Sequence, residues 1–318
     1  MATDYILFIH GVNTREEREH PEYADKLFNR LDETLVDNTP DIQKVALYWG
    51  GVNERAENNL LEQLRDSPLW SQMYFQTFRE KQILQFAGDA ALYISRGVGF
   101  EVITTLIQQT LQGLQKAQPN DRLHLVTHSW GTVILFDLLF ASRWDDPNVP
   151  GYNEVMEIRN TIYGIRGNNP NPLEGIKIAS IHTMGSPVAI FSLMYVAPSN
   201  DNTHFPRTHD ITPKLKELLS SLHETRKSKK LPWRNYIHPG DPISYPLEQL
   251  MSSLVNDYQT YLDIQDVITH EAGLLDFITN QTVLALLHGG DAHGSYWHSE
   301  KVVKEISNVI RQEASESS

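Results

Sequence analysis

One stretch of the chain, residues 123–131, has the residue types and the spacing of a serine nucleophile. Ser129 separates a short apolar segment of β type from an apolar helix-like segment, and Gly131 follows two positions later. A serine at such a strand-to-helix turn lies on a tight bend that exposes its hydroxyl, and the next N–H and the helix N-terminus point to the same space. The full fingerprint is G-x-S-x-G, and Thr127 replaces its first glycine, so the prediction needs support from other residues.

That support comes from two side chains further along the chain. A serine hydroxyl attacks at neutral pH only when a neutral imidazole takes its proton and a carboxylate orients the imidazole. Asp241 follows an apolar segment in the turn HPGDP, whose proline and glycine residues force the aspartate out at the strand end. His293 lies in the later segment DAHGSYWH. The sequence thus carries candidates for all three groups, in the order Ser129, Asp241, His293.

The elements that must position these residues are alternating strands and helices. Apolar, β-prone segments alternate with helical patterns, which predicts an α/β fold with a mostly parallel central sheet flanked by helices. The predicted strands cover residues 5–9, 44–49, 123–127, 176–183, 233–237 and 261–269. Loops at the carboxyl ends of parallel strands form the site in such sheets. We therefore expect five features to converge there: His10-Gly11, Ser129, Gly185, Asp241 and His293.

These motifs resemble the α/β-hydrolase superfamily, specifically its lipase and esterase members, including relatives of the GPI inositol-deacylase group. The matching segments are FIHGVN, VTHSWG, HTMGSP, GDPISYP and AHGSYW, which together extend from Tyr5 to Trp297. Most of the residues between them carry no family signal. The resemblance implies the α/β-hydrolase fold, which carries its triad in the chain order Ser, Asp, His.

The resemblance also implies a role for each candidate residue. Ser129 corresponds to the nucleophile, Asp241 to the orienting acid and His293 to the general base. The backbone N–H groups of Val12 and Trp130 correspond to the oxyanion hole. Thr127 departs from the family pattern, in which glycine eases packing of the helix on the strand.

Each of these assignments has a rival in the sequence. Ser186 also follows a strand, but the next residue is a proline, which has no N–H to donate to an oxyanion. His288 and His298 compete with His293, and Asp266 on the next strand competes with Asp241. Asp241 can also be interpreted as an ordinary turn residue with no catalytic role.

The chain is predicted to form one domain, 1–318, with two insertions. Residues 52–96 are helical in pattern and include an aromatic-rich patch at residues 67–80, which reads either as a lid over an apolar pocket or as ordinary core packing. Residues 142–175 are dense in Pro, Asn, Asp and Gly and are a second candidate for a cap.

Composition limits the classes of function. The formal charge of −13 opposes binding to nucleic acid or to anionic membranes, and the absence of cysteine excludes disulfides and thiolate sites. The N-terminus lacks the basic region of a signal peptide and no segment is apolar enough to span a bilayer, so we expect a cytoplasmic protein. The spacing of His288, Asp291, His293 and His298 matches no familiar zinc motif, and we expect neither a metal nor a cofactor.

The expected function is that of a serine esterase or lipase whose partner is a small-molecule or lipid ester. Two alternatives stay open: a non-catalytic binding module on the same fold, and an acyltransferase that uses the same triad. The sequence leaves the natural ester and the oligomeric state undetermined.

Overall fold

The computed structural model describes residues 2–11, 21–36, 41–73, 76, 80, 96–162, 175–190, 211–255, 257–270 and 292–316. Six strands pair in one sheet in the order β2-β1-β3-β4-β5-β6, and every neighbouring pair is parallel. They are β1 (Asp4–Ile9), β2 (Ile42–Leu47), β3 (Arg122–His128), β4 (Lys177–Met184), β5 (Leu231–Ile237) and β6 (Leu262–Ile268). The predicted α/β class and parallel sheet are confirmed, and the strand ends differ from the prediction by at most two residues.

The central strands are continuous apolar runs because helices cover both of their faces. All residues of β1, β3 and β5 are buried. Side chains alternate along β1: Ile6 and Phe8 join one apolar core, whereas Tyr5, Leu7 and Ile9 join the other. The sheet therefore separates two cores.

Helices form the outer layers. Those described are α1 (Asp25–Leu35), α2 (Gly50–Arg65), α3 (Arg96–Leu114), α4 (Trp130–Phe140), α5 (Tyr152–Thr161), α6 (Thr212–Thr225), α7 (Glu248–Leu254), α8 (Tyr258–Tyr261) and α9 (Glu300–Glu316). Helices α1 and α9 pack together on one face, and α3, α4 and α6 cover the other. Helix α4 is buried from Gly131 to Phe140 because α5 and α6 pack against it from outside. This explains its uniformly apolar sequence.

Residues 200–231 are polar in sequence and carry no predicted helix or strand, yet part of this region is helical. Within residues 200–231, helix α6 buries leucines at the i, i+3, i+4, i+7 spacing of an amphipathic helix: Leu215, Leu218, Leu219 and Leu222. Beyond its end, Arg226 forms two hydrogen bonds of 2.7 and 2.8 Å to the Glu313 carboxylate on α9. The surrounding polar residues masked this short apolar stripe in the sequence.

The two predicted insertions are described only in part. The first begins with α2 and a short 3₁₀ turn at Trp70–Gln72, and most of residues 74–95 lie outside the described residues. The second contains α5, whereas residues 163–174 also lie outside them. The single-domain assignment and both insertions therefore stay predictions. Among the helices that the structure describes, none has the length and apolar character needed to cross a bilayer.

A chain of hydrogen-bonded polar side chains crosses the face of the sheet that α1 and α9 cover. His124 lies 2.9 Å from Asp4 Oδ1 through Nε2 and 2.7 Å from Ser180 Oγ through Nδ1. Ser180 Oγ lies 2.9 Å from His182 Nε2, and His182 Nδ1 lies 3.0 Å from the Tyr236 hydroxyl. All five side chains are fully buried. Buried polar atoms are tolerated when they are hydrogen-bonded, and the polar side chains of these neighbouring strands are hydrogen-bonded to one another.

This network makes stability depend on pH. Burial lowers the pKa of His182 well below its usual value, and the charges of His124 and Arg234 lower it further. As the pH falls below about 6.5, the unfolded chain takes up a proton that the native state refuses. His182 should therefore lower the free energy of unfolding by about 1.4 kcal/mol per pH unit below that point.

Replacing His182 tests this dependence. In urea titrations between pH 6 and pH 5, the free energy of unfolding of His182→Gln should fall less steeply with falling pH than that of the wild type. The difference between the two slopes should correspond to the uptake of about one proton on unfolding. The absolute stability of the variant does not matter, because the comparison is between slopes. Equal slopes for the two proteins would show that His182 is not held neutral in the folded state.

Candidate active site

Ser129 lies in a strained turn between β3 and α4. Its φ of 55° and ψ of −133° place a non-glycine residue in a sparsely populated backbone region. Such a conformation persists only where surrounding contacts enforce it. The Ser129 N–H donates to the Met184 carbonyl at the end of β4 (2.9 Å), and the Thr132 N–H donates to the Ser129 carbonyl (3.1 Å). The turn is therefore fixed by the neighbouring strand and by the first turn of its own helix.

Thr127, the departure from the usual fingerprint, has a structural role here. Its Oγ1 lies 2.8 Å from Thr132 Oγ1 and 3.4 Å from the His182 carbonyl oxygen. The two buried threonines connect the last residues of β3 to the start of α4 across the serine. A hydroxyl pair thus stabilises the turn at the position where other sequences have glycine.

Two glycines let the backbone at the end of β1 approach this turn. A Cβ on Gly131 would lie 2.2 Å from the His10 carbonyl oxygen, and a Cβ on Gly11 would lie 2.3 Å from Ser129 Cβ. Both distances are shorter than real Cβ contacts, so any side chain would force the segments apart. The spacing of small residues in the sequence reflects this close approach.

His293 and Asp241 are hydrogen-bonded to each other at the same edge of the sheet. His293 Nδ1 lies 2.9 Å from Asp241 Oδ2, and Asp241 Oδ1 accepts a 3.0 Å hydrogen bond from the Ile243 N–H. Asp241 follows β5 in a turn closed by its own N–H donating to the His238 carbonyl. Gly185 lies beside the pair, since a Cβ there would be 2.7 Å from Asp241 Oδ2 and 3.1 Å from His293 Nδ1.

A residue that the sequence did not single out, Tyr296, also binds the Asp241 carboxylate. Its hydroxyl donates to Asp241 Oδ2 (2.8 Å) and accepts from the His238 N–H (2.9 Å). Burial and the Asp241 charge raise the pKa of Tyr296, so the hydroxyl keeps its proton and acts as a donor. Tyr296 lies in the segment AHGSYW, three residues after His293, but the motif assigns it no role.

The balance of forces keeps Asp241 ionised. Burial alone would raise the pKa of its carboxyl, but the hydrogen bond and charge of His293 and the hydrogen bonds from Ile243 and Tyr296 outweigh burial, so the pKa lies below its usual value. An ionised carboxylate on Nδ1 requires the hydrogen of His293 to be on that atom. The lone pair of Nε2 is then free to accept a proton.

Three buried side-chain atoms at this edge have no hydrogen-bond partner among the residues that the structure describes: Ser129 Oγ, His293 Nε2 and His128 Nδ1. The first two belong to the predicted nucleophile and the predicted base. The ring of His128, next to Ser129, lies 4.6 Å from the ring of His293, measured between centroids. Since buried polar atoms are usually paired, two unpaired reactive atoms in one place identify a candidate site.

The other residues that the sequence offered are hydrogen-bonded elsewhere, exposed, or outside the described residues. Asp266 accepts hydrogen bonds from Asn235 Nδ2 and from the N–H groups of Leu247 and Glu248 at the start of α7. Ser186 Oγ accepts from the Val188 N–H within its own turn. The side chain of His298 is exposed, and His288, Asp291 and Val12 lie outside the described residues.

Two other histidine arrangements do not compete with this site. Asp4, His124 and Ser180 have the connectivity of an acid–base–nucleophile triad, but both His124 nitrogens are already paired and the Ser180 hydroxyl is also hydrogen-bonded to His182 inside the sheet. His10 is held by the end of β2: its Nε2 accepts from the Trp49 N–H, and its ring stacks on the Trp49 indole. Among the described residues, no group of three His, Asp or Glu side chains is arranged to hold a metal ion.

Comparison with known proteins adds one distant sequence relative. A probable phospholipase of Saccharomyces cerevisiae, whose name places it in the mitochondrion, is 23% identical over 278 residues. The match covers 81% of this chain but only 33% of the yeast protein, so the chain spans about a third of that relative's length. No family model matches the sequence.

Among solved structures, one of a dienelactone hydrolase from Anabaena variabilis matches this chain with 10% sequence identity. The match covers 94% of this chain and 87% of the chain of the dienelactone hydrolase. Its TM-score of 0.32 is too low for this likeness to bear on fold or activity. The described part of the chain has the parallel sheet flanked by helices and the strained serine turn that are expected of an α/β-hydrolase fold. Its sequence distantly resembles the esterases and lipases of that superfamily.

Proposed function

We propose that this protein is a serine ester hydrolase. The observation that carries the proposal is the pair of unpaired, buried atoms, Ser129 Oγ and His293 Nε2, beside a formed hydrogen bond between His293 and Asp241. A hydroxyl, an imidazole with a free lone pair and an ionised carboxylate are the three groups that acyl transfer requires.

The proposed reaction proceeds through an acyl-enzyme. Ser129 Oγ forms a bond to the ester carbonyl carbon while His293 Nε2 takes the hydroxyl proton, and Asp241 stabilises the resulting imidazolium. The tetrahedral intermediate expels the alcohol, which leaves with the proton from His293. A water molecule then attacks the acyl carbon, His293 again serves as base, and the carboxylic acid leaves as Ser129 recovers its proton.

The negative charge of the tetrahedral intermediate needs donors near Ser129. We assign this role to the backbone N–H groups of Trp130 and Val12. Trp130 is the first residue of α4, so its N–H belongs to the first turn at the helix N-terminus, where the helix dipole favours negative charge. Gly11, which precedes Val12, lies against the Ser129 side chain, which supports a donor from that segment.

We further propose a lipid ester as the substrate. The yeast relative's name supports this choice, and so do exposed apolar side chains on the first insertion, among them Leu69 and Met73. In this proposal residues 67–80 form a lid over the acyl chain, and no cofactor is needed. The cytoplasmic location stays a prediction.

A series of chromogenic esters from acetyl to long-chain acyl groups tests the nucleophile and the substrate class together. The wild type should hydrolyse them, with rates that rise with chain length. Ser129→Ala should lower kcat by about 10³-fold or more, because no other group supplies the attacking oxygen. Ser186→Ala, the matched control in a neighbouring turn, should keep full activity.

Two outcomes of this series would count against the proposal. Hydrolysis that persists in Ser129→Ala excludes that residue as the nucleophile. Rates that do not rise with acyl length exclude the lid assignment for residues 67–80, but leave the esterase assignment in place.

Two aspartates provide a matched pair for the acid. Asp241→Asn should lower kcat by about 10⁴-fold, since an amide that donates to His293 favours the tautomer that cannot accept the serine proton. Asp266→Asn removes a carboxylate that lies on β6 and binds the N–H groups at the start of α7. This variant should have altered stability but an unchanged kcat. Steady-state kinetics of both variants, with melting curves, check this. A comparable loss of kcat in Asp266→Asn would contradict the assignment of Asp241 as the orienting acid.

A further inference from the structure

We propose that His128 is a positioning residue that fastens the segment carrying the catalytic base to the turn carrying the nucleophile. The proposal rests on the function proposed above and assigns to that site a residue to which neither the family motifs nor the triad gives a role. His128 is the last residue of β3 and directly precedes Ser129.

A direct hydrogen bond joins the two segments. His128 Nε2 lies 2.7 Å from the backbone carbonyl oxygen of His293, across a sequence separation of 165 residues. A carbonyl oxygen only accepts, so Nε2 carries the hydrogen and donates it. One side chain thus joins the turn at Ser129 to the main chain of His293.

The His128 ring also packs against the segment that carries His293. The ring of His128 lies 4.6 Å from the His293 ring, 5.9 Å from the Tyr296 ring and 5.5 Å from the Trp297 ring, measured between centroids. Tyr296 in turn binds Asp241. His128 therefore contacts the base itself and the two aromatic residues of the turn that follows it.

The imidazole of His128 carries no charge near neutral pH. Burial, and then the neighbouring His293, lower the pKa of His128 to about 3. The ring stays neutral throughout the range in which an esterase works. This matters because His293 becomes an imidazolium during the reaction, and a second cation at this distance would oppose that charge.

These contacts constrain a movement that Asp241 leaves free. The bond from His293 Nδ1 to Asp241 fixes the tautomer and the rotation of the imidazole. The bond from His128 fixes the main chain of His293, and with it the separation between Nε2 and Ser129 Oγ. Small displacements at this separation are costly, since about 1 Å of misplacement lowers rates by about 10²-fold.

A pair of amide variants tests the proposal. The amide nitrogen of Gln occupies nearly the position of histidine Nε2, whereas the shorter Asn cannot reach the His293 carbonyl. His128→Asn should lower kcat on the best ester by about 10²-fold with little change in KM, because His128 contacts the base and not the substrate. His128→Gln should recover most of kcat.

His128→Phe separates the hydrogen bond from the packing. The variant keeps an aromatic ring but leaves the His293 carbonyl without its donor. It should lose kcat as His128→Asn does, and its melting temperature reports whether the fold survives. Equal kcat in the wild type, His128→Asn and His128→Phe would overturn the positioning role while leaving the esterase assignment intact.

A measurement on the wild type tests the proposal even when the His128 variants fail to fold. In ¹⁵N-histidine NMR spectra, His128 should be neutral and protonated on Nε2 from pH 8 down to pH 5. A His128 protonated on Nδ1, or charged at pH 6, would overturn the proposal. A wild type that neither hydrolyses esters nor reacts with a fluorophosphonate overturns the proposed function, and this role with it.

Discussion

Parallel pairing of the six strands is the constraint on which the candidate site depends. Because every pair runs in the same direction, the carboxyl ends of all strands meet at one edge of the sheet. The serine turn follows β3, the acid follows β5 and the base comes after β6 in the chain. Ser129 and Asp241, which are more than a hundred positions apart in the sequence, therefore lie at the same edge of the sheet.

The strained backbone at Ser129 has a cost that its surroundings must offset. A non-glycine residue in such a conformation costs about 1–3 kcal/mol. The Met184 carbonyl, the threonine pair across the turn and the buried helix α4 hold the conformation in place. These contacts come from β4 and from both sides of the turn, so the serine is held by the core of the fold and not by a surface loop.

The sequence predicted the strands well because strands buried on both faces must be apolar throughout, as β1 shows. It predicted α6 poorly, since four leucines spread among charged residues produce no comparable run. The catalytic candidates were identified from motifs, but their supporting residues were not. Tyr296 and His128 act through contacts with distant segments, and a single sequence gives no signal for a contact between residues so far apart.

The buried histidines illustrate the same limit. His124 and His182 appear in the sequence as isolated polar residues within apolar strands, and their shared network emerges only when the strands are adjacent. The structure distinguishes them from His293 by exposure and by partners. His124 and His182 have both nitrogens bonded inside the sheet and are structural. His293 differs because Nδ1 is bonded to the Asp241 carboxylate and Nε2 is left at the sheet edge, where it can accept a proton.

The most direct test of the account is to find where a covalent inhibitor attaches. After reaction with a fluorophosphonate, the intact protein should gain the mass of one adduct, and tryptic mapping should place it on Ser129 within the peptide Leu123–Arg143. The adduct should be absent when Ser129 is replaced by alanine. An adduct on Ser186 or another residue, or no adduct on the folded wild type, would contradict the assignment of Ser129 as the nucleophile.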